Sequence, residues 1–223
     1  MEVMPTPDGC QPSVIDLIIP SSPLLERSFF VRPTVRVARD LVGAILVYQH
    51  PDGLRAGRVV ETEAYGGTED RASHASRGKT ARTAPMFGPP GCAYVYFIYG
   101  MYNCLNVVTE REGVAGAVLL RALEPIVGPP CSSSGPGLLC RWLGIERSTS
   151  GMDMTQPPLF FCRGDAPIED GSIRSGRRVG VAYSGEWAER PWRFWLGDCP
   201  AVSRVGRKLE PPEQTKPNMG LGT

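Results

Sequence analysis

Residues 59–65 read V-V-E-T-E-A-Y, and residues 88–106 read G-P-P-G-C-A-Y-V-Y-F-I-Y-G-M-Y-N-C-L-N. Side chains alternate faces along a strand. Val59, Glu61, Glu63 and Tyr65 then share one face, while Val60, Thr62 and Ala64 take the other, which should be the packed side. Gly66 and Gly67 end the strand. Two carboxylates one pleat apart repel, so at least one is expected to be paired with a cation or protonated. In the second stretch, residues 93–98 are β-branched and aromatic and read as a strand. Tyr94, Tyr96 and Ile98 face one way; Val95, Phe97 and Tyr99 face the other. Gly100 marks a hairpin turn, residues 103–108 form the return strand, and Tyr99 and Met101 flank the tip. A large aromatic there is poorly buried by its own fold. It either folds back on the sheet or acts as a wedge that enters a partner.

The rest of the chain extends this strand-rich pattern. Residues 44–49 and 55–63 flank the turn H-P-D-G at 50–53 and should pair as a hairpin. Residues 117–123 read as a strand ending near Pro125, and 176–183 and 192–196 as late strands. Residues 35–41 follow Pro33-Thr34 with an apolar face of Val35, Val37, Ala38 and Leu41, so they read as a helix stopped by Gly43. A second helix, 138–143, is opened by Gly135-Pro136-Gly137 and closed by Gly144. Its N-terminus is a candidate phosphate seat. The organisation expected from composition is a flexible Pro/Ser-rich arm over 1–22, one domain over 23–210 and a disordered tail over 211–223.

Composition excludes several classes. The seven cysteines form no C-x-x-C pair, and the histidines are two, His50 and His74. Zinc-ligand spacing is therefore absent. We expect no metal and no cofactor, and the zinc-dependent base deaminases are excluded. An odd cysteine count with no disulfide framework fits a reducing compartment. The N-terminus carries no signal-peptide pattern, and no run approaches eighteen apolar residues. A cytoplasmic, monomeric protein with no membrane partner is expected. The formal net charge is +1, so distribution matters more than total. Arg71, Arg77, Lys79 and Arg82 form one basic loop. Arg163, Arg174, Arg177, Arg178, Arg190, Arg193, Arg204, Arg207 and Lys208 make the C-terminal third basic. Of the 24 basic residues, 21 are arginine, which favours forked phosphate contacts.

In order and spacing, the motifs resemble those of the alkyladenine (3-methyladenine) DNA glycosylase family, most closely a bacterial member. They are V-E-T-E-A-Y at 60–65, E-D-x-A-x-H at 69–74, M-F-G-P-P-G at 86–91 and Y-V-Y-F-I-Y-G-M-Y at 94–102. L-N-V-V at 105–108, V-L-L-R-A-L-E-P at 118–125, G-P-G-x-L-C at 135–140 and R-R-V-G-V…P-W-R-F across 177–194 follow. The resemblance implies an α+β fold: a single mixed α/β domain around a curved antiparallel β-sheet with a protruding β-hairpin. It implies a base-excision repair enzyme acting on double-stranded DNA with a damaged purine, nucleoid-associated if bacterial. It makes Glu63 the general base that activates water and Arg121 the arginine that orients water and glutamate. Tyr65, His74 and Tyr96 become the walls around a flipped base, and Asn106 the residue that screens exocyclic amino groups. Tyr99, with Met101 beside it, becomes the side chain inserted into DNA. Arg77, Lys79, Arg82, Gly135 and Gly137 are the candidate phosphate contacts.

These roles are chemically coherent. A base in a duplex hides its glycosidic bond, so its nucleotide must be extruded at a cost of a few kcal/mol. Stacking on aromatic faces returns about 1–3 kcal/mol per base. Displacement at the anomeric carbon passes through an oxocarbenium-like transition state, which a carboxylate stabilises. The three lysines, Lys79, Lys208 and Lys216, lie outside the core motifs. No positioned amine is on hand for Schiff-base chemistry, and a monofunctional enzyme leaving an abasic site is expected. The chain departs from the family in three places: a short P-I-V-G-P-P-C-S-S-S segment at 125–134, Leu138 where a basic residue is common, and Thr83 where asparagine is common. The first two bear on DNA grip, so binding weaker or more salt-sensitive than usual is expected. Two other classes stay open at this level: a catalytically silent nucleic-acid-binding module, and a carbohydrate hydrolase using Glu61 with Glu63.

Overall fold

The structure is a computed structural model that describes residues 23–204 apart from 165–167 and 170. The expected arm at 1–22 and tail at 211–223 therefore lie outside the described residues, as do Arg207 and Lys208. Among the described residues, nine strands form one curled antiparallel sheet. They are β1 (Ile45–His50), β2 (Gly53–Tyr65), β3 (Ala93–Ile98), β4 (Tyr102–Val108), β5 (Ala117–Val127), β6 (Thr155–Gln156), β7 (Leu159–Cys162), β8 (Ile173–Gly176) and β9 (Arg193–Leu196). Their order is β3-β4-β5-β2-β1-β7-β6, with β9 also on β2 and β8 on β9. The helices are α1 (Arg27–Phe30), α2 (Thr34–Asp40) and α3 (Pro136–Leu143). This is the α+β architecture expected from the sequence.

β2 organises the sheet. Its 13 residues pair with β5 along one edge and share the other edge between two strands: β1 takes residues 53–58, and β9 takes Glu61, Thr62 and Glu63. The half of β2 that carries both carboxylates is thus an interior strand with neighbours on each side. Three register shifts interrupt its pairing with β5, one between Ala56 and Gly57 and two beside the carboxylates. Val59 pairs with Leu123 and Glu61 with Ala122, so Val60 is the extra residue; Thr62 then pairs with Leu120, so Arg121 is the extra residue on β5.

A bulge re-aims side chains and changes the phase of alternation. Val59 accordingly joins Ala64 in the main core cluster with Leu120 and Leu123, and the Thr62 hydroxyl, also buried, donates to the Ala38 carbonyl of α2 at 2.7 Å. The strict alternation that put Val59 with Glu61 and Glu63 is corrected at this one residue. Beyond the bulge the expected faces hold.

The core lies on one side of β2–β5, under α2 and α3. α2 matches the expected helix at 35–41 to within one residue, burying Val37 and Ala38. α3 begins two residues earlier than expected, at Pro136, since proline is at home in the first helical turn. Its Trp142 is fully buried and donates its indole N–H to the Pro129 carbonyl at 2.9 Å. The expected strand at 176–183 is a correction: β8 ends at Gly176, residues 177–181 form a loop, and Ala182–Glu189 is a 3₁₀ segment. The reason is Arg178. Its guanidinium turns inward to Asp70, with contacts at 2.5 and 2.9 Å, and donates to the Ala64 and Trp187 carbonyls. A chain anchored there cannot also run as an edge strand. The expected 192–196 strand is present as β9.

Trp142 fastens α3, and with it the Gly135–Pro136–Gly137 turn, to the sheet. Trp142→Ala should cost about 3–5 kcal/mol, read as a lower urea midpoint with an unchanged m-value.

Candidate active site

The inner, non-core face of β3, β4, β5 and β2 lines a cavity of about 780 Å³, within the range of small-molecule sites. Alternation puts Tyr94, Tyr96 and Ile98 of β3, Cys104 and Asn106 of β4, Leu119 and Arg121 of β5, and Tyr65 of β2 on its wall. His74 comes from the 3₁₀ turn His74–Arg77, which Ser73 caps by accepting from the Ala75 N–H. The opposite rim is Gly135–Leu138 at the start of α3, and Val179, Gly180, Val181 and Tyr183 close a third side.

The hairpin tip lies where the sequence puts it. Tyr99 and Gly100 both have positive φ, 54° and 69°, the pattern of a type I′ turn, and the Met101 N–H returns to the Ile98 carbonyl. Glycine is at ease in this region, and tyrosine is held there by the turn. Tyr99 is 83% exposed, Met101 50% and Phe97 42%. Tyr99 also borders the cavity, so it does not fold back on the sheet.

Glu61 and Glu63 are both fully buried, with Arg121 between them. Arg121 Nε donates to Glu61 Oε1 at 2.8 Å, and its Nη1 lies 3.2 Å from Glu63 Oε2. Glu61 is saturated. Arg193 Nε also donates to Oε1 at 2.7 Å, and the Ser203 N–H donates to Oε2 at 2.7 Å. Burial pushes the Glu61 carboxyl up, but Arg121, Ser203 and Arg193 outweigh it and hold the carboxyl below its ordinary value. Burial opposes the Arg121 charge too, and Glu63 and Glu61 overcome it, so Arg121 stays protonated.

Glu63 is held differently. The Tyr65 hydroxyl donates to Oε2 at 2.8 Å and the Val179 N–H to Oε1 at 2.6 Å. Glu63 is not on the cavity wall; it stands directly behind Tyr65, Arg121 and Val179, which are. Burial, followed by the nearby Glu63 charge, pushes the Tyr65 phenol well up, so it remains a donor. Arg178 backs the same ring, with its guanidinium carbon 4.9 Å from the Tyr65 centroid and 5.1 Å from that of Trp192.

The aromatic cluster is close-set. The His74 and Tyr96 rings lie 4.6 Å apart, edge to face, and His74 Nδ1 shares a hydrogen bond of 3.1 Å with the Tyr94 hydroxyl. Burial, then Arg82, then Arg77 lowers the His74 pKa, so the imidazole is neutral near pH 7. Asn106 commits its Nδ2 to the Tyr94 and Cys104 carbonyls, at 3.0 and 3.3 Å, so its amide N–H groups are not free donors to the cavity.

The structure therefore brings together Tyr65, His74, Tyr96, Tyr99, Asn106, Arg121, Gly135 and Gly137 on one cavity, with Glu63 immediately behind. Met101, Arg77, Lys79 and Arg82 lie outside its lining. Arg77, Lys79 and Arg82 are exposed, and the Arg82 guanidinium stands 5.9 Å from the Tyr96 ring. Thr83 is buried, accepts from the Thr80 N–H and donates to the Gly78 carbonyl, so it folds this basic loop on itself. Leu138 lines the cavity. Sequence reasoning did not find the second arginine on Glu61, the Ser203 contact, the Asp70–Arg178 pair or the Val179 N–H. The last two sit inside the motifs E-D-x-A-x-H and R-R-V-G-V. Among the described residues no cluster of three His, Cys, Asp or Glu is arranged to hold a metal.

Glu61 is locked by two guanidinium groups and the Ser203 N–H, so it does not serve as the second carboxylate that glycan hydrolysis needs. A model of the methylpurine-DNA glycosylase family matches residues 28–200. A Myxococcus xanthus protein is 46% identical over 195 residues, covering 86% of this chain and 98% of its own. One from Anaeromyxobacter dehalogenans is 53% identical over 181 residues (81% of this chain, 85% of its own), and one from Methanocella arvoryzae is 49% identical over 199 (82% and 96%). Each carries the provisional name 3-methyladenine DNA glycosylase.

Because Glu61 is held in a lowered, charged state, its contribution to stability is fully present above its ordinary value of 4.5. That contribution is lost as pH falls through the lower folded value. Glu61→Gln leaves buried Arg193 without a carboxylate and Arg121 with Glu63 alone, and should cost about 3–5 kcal/mol at neutral pH. In urea titrations from pH 7 to pH 3 the gap to the wild type should narrow below about pH 4.5.

Proposed function

This chain belongs to the methylpurine-DNA glycosylase family, and we propose that it flips alkylated or deaminated purines out of duplex DNA and hydrolyses their N-glycosidic bond with water activated by Glu63. The observation that carries this reading is the contact set of Glu63: a buried carboxylate bridged by Arg121 and held by Tyr65 and Val179, directly behind the wall of an aromatic cavity. An extruded purine would stack against Tyr65, His74 and Tyr96. Water beneath the sugar gives a proton to Glu63 as its oxygen bonds to the anomeric carbon, and the departing base takes the bonding electron pair.

An N-alkylated purine such as 3-methyladenine or 7-methylguanine carries a positive charge and leaves neutral. A neutral imidazole and two neutral phenols form a wall that accepts a cationic base, whereas a protonated His74 would repel it. Hypoxanthine and ethenoadenine are neutral and must collect a proton on leaving. Because no lysine is in the core motifs, the reaction ends at an abasic site. Asn106, whose N–H groups are already engaged, offers no free donor to the base edge. Tyr99 would fill the gap left in the stack, as wedges do in minor-groove binders. Arg77, Lys79, Arg82 and the Gly135–Gly137 turn would hold phosphates, and the described residues would act as a single glycosylase domain in a monomer.

Single-turnover excision from a hypoxanthine-containing duplex tests the chemistry. Glu63→Gln should lose about 10²–10⁴-fold in rate while still binding the duplex. Equal and undetectable excision by the wild type and Glu63→Gln would leave a silent binding module as the better reading. Grip is tested separately. Replacing Arg77, Lys79 and Arg82 by serine should flatten the slope of log K against log salt by roughly 0.9 for each phosphate no longer neutralised. Tyr99→Ser should weaken binding to lesion-bearing duplex with that salt slope unchanged.

A further inference from the structure

We propose that Arg193 is a positioning residue for the reaction: it neutralises Glu61, so that the charge of Arg121 is left to serve Glu63. The inference rests on the reading of Glu63 as the base. Four charged groups are packed together here without solvent. Glu61 and Glu63 point from β2, Arg121 from the bulge of β5, and Arg193 from β9, all four less than 10% exposed. Without Arg193 the set is two carboxylates sharing one guanidinium, and Arg121 bonds the wrong one better: its Nε is 2.8 Å from Glu61, its Nη1 3.2 Å from Glu63. Arg193 Nε supplies a second charge to the same Glu61 oxygen at 2.7 Å, and its Nη2 is tied to the Ser203 carbonyl. Its guanidinium pairs with Glu61 and not with Glu63, and it does not line the cavity, so it acts through Glu61 and Arg121.

The other titratable or charged groups around Glu63 are Tyr65 on its own strand and Tyr96 and Cys104 across the cavity. Arg178 stands behind Tyr65, paired with Asp70. Burial pushes the two phenols and the thiol up, the thiol to about 11, so all three are uncharged at neutral pH. The charge balance at Glu63 thus rests on the two arginines and Glu61.

The test is the pH profile of single-turnover excision from hypoxanthine duplex. Arg193→Met should move the acid limb to higher pH by about 1 unit or more, and Arg193→Lys should bring it back toward the wild type. Glu61→Gln with Arg193→Met removes one charge of each sign and should return the limb to its wild-type position. A folded Arg193→Met with an unmoved limb overturns the proposal. If that variant does not fold, a displaced limb in the double variant overturns it. Failure of the underlying reading is seen separately, as full excision by Glu63→Gln in the same assay.

Discussion

The fork of Arg121 between Glu61 and Glu63 is the constraint from which the rest of the site follows. Two carboxylates on one strand face, both without solvent, would force a proton onto one of them. The fork gives each of them a cationic partner, and the backbone positions it. Arg121 shares the cavity face with Leu119 by alternation, and the bulge at this position shifts the phase so that Leu123 joins Leu120 in the core. The bulge at Val60 does the matching work on β2, keeping Val59 in the core while Glu61 and Glu63 turn the other way.

The site has two layers with different tasks. Behind the wall lies a charged layer with every oxygen engaged, flanked by β9 and β5 on the two sides of β2 and capped by the Val179 N–H. In front lies an aromatic layer that stays neutral: burial and two nearby arginines keep His74 uncharged, and burial keeps the phenols protonated. Tyr65 joins the layers, offering its ring to the cavity and its hydroxyl to Glu63. This division suits a reaction whose substrate is flat and often cationic and whose base must stay deprotonated away from bulk water.

The sequence made the strand pairs, the hairpin and most of the cavity wall legible, because period-two alternation needs only local order. It put Tyr94, Tyr96 and Ile98 on one strand face and Glu63 opposite the packed side of its own strand, and the sheet turns both faces toward the cavity. It misjudged what long-range pairing decides. The phase break at Val60 depends on β5, a strand distant in the chain, and nothing local signals it. The strand expected at 176–183 has suitable composition, yet Arg178 finds a buried carboxylate 108 positions upstream, and tertiary contact overrides propensity. Arg193 was legible as a motif residue and a positive charge, with no partner to give it a role. The roles given to Glu63 and its neighbours came from the motifs, and geometry adds the partners that make such roles chemically reasonable.

Those partners also change the electrostatic picture of DNA approach. By sequence the C-terminal third holds the most arginine and lysine. In the fold, Arg178 and Arg193 are buried against Asp70 and Glu61, and Arg174 and Arg177 sit with Asp198 and Glu189. Much of that charge is cancelled within the protein and cannot draw a phosphate. Among the described residues, Arg71, Arg77, Lys79 and Arg82 are in no ion pair, and all four are exposed. The loop that carries them also carries His74. A chain of net charge +1 thus presents an unbalanced positive field where the aromatic cavity opens, and fields at distances of a Debye length or less depend on such local imbalance, not on the total. Burial comes first in lowering the pKa of His74, and Arg82 and Arg77 add to it, so the charges that draw DNA also favour neutrality of the base-binding wall.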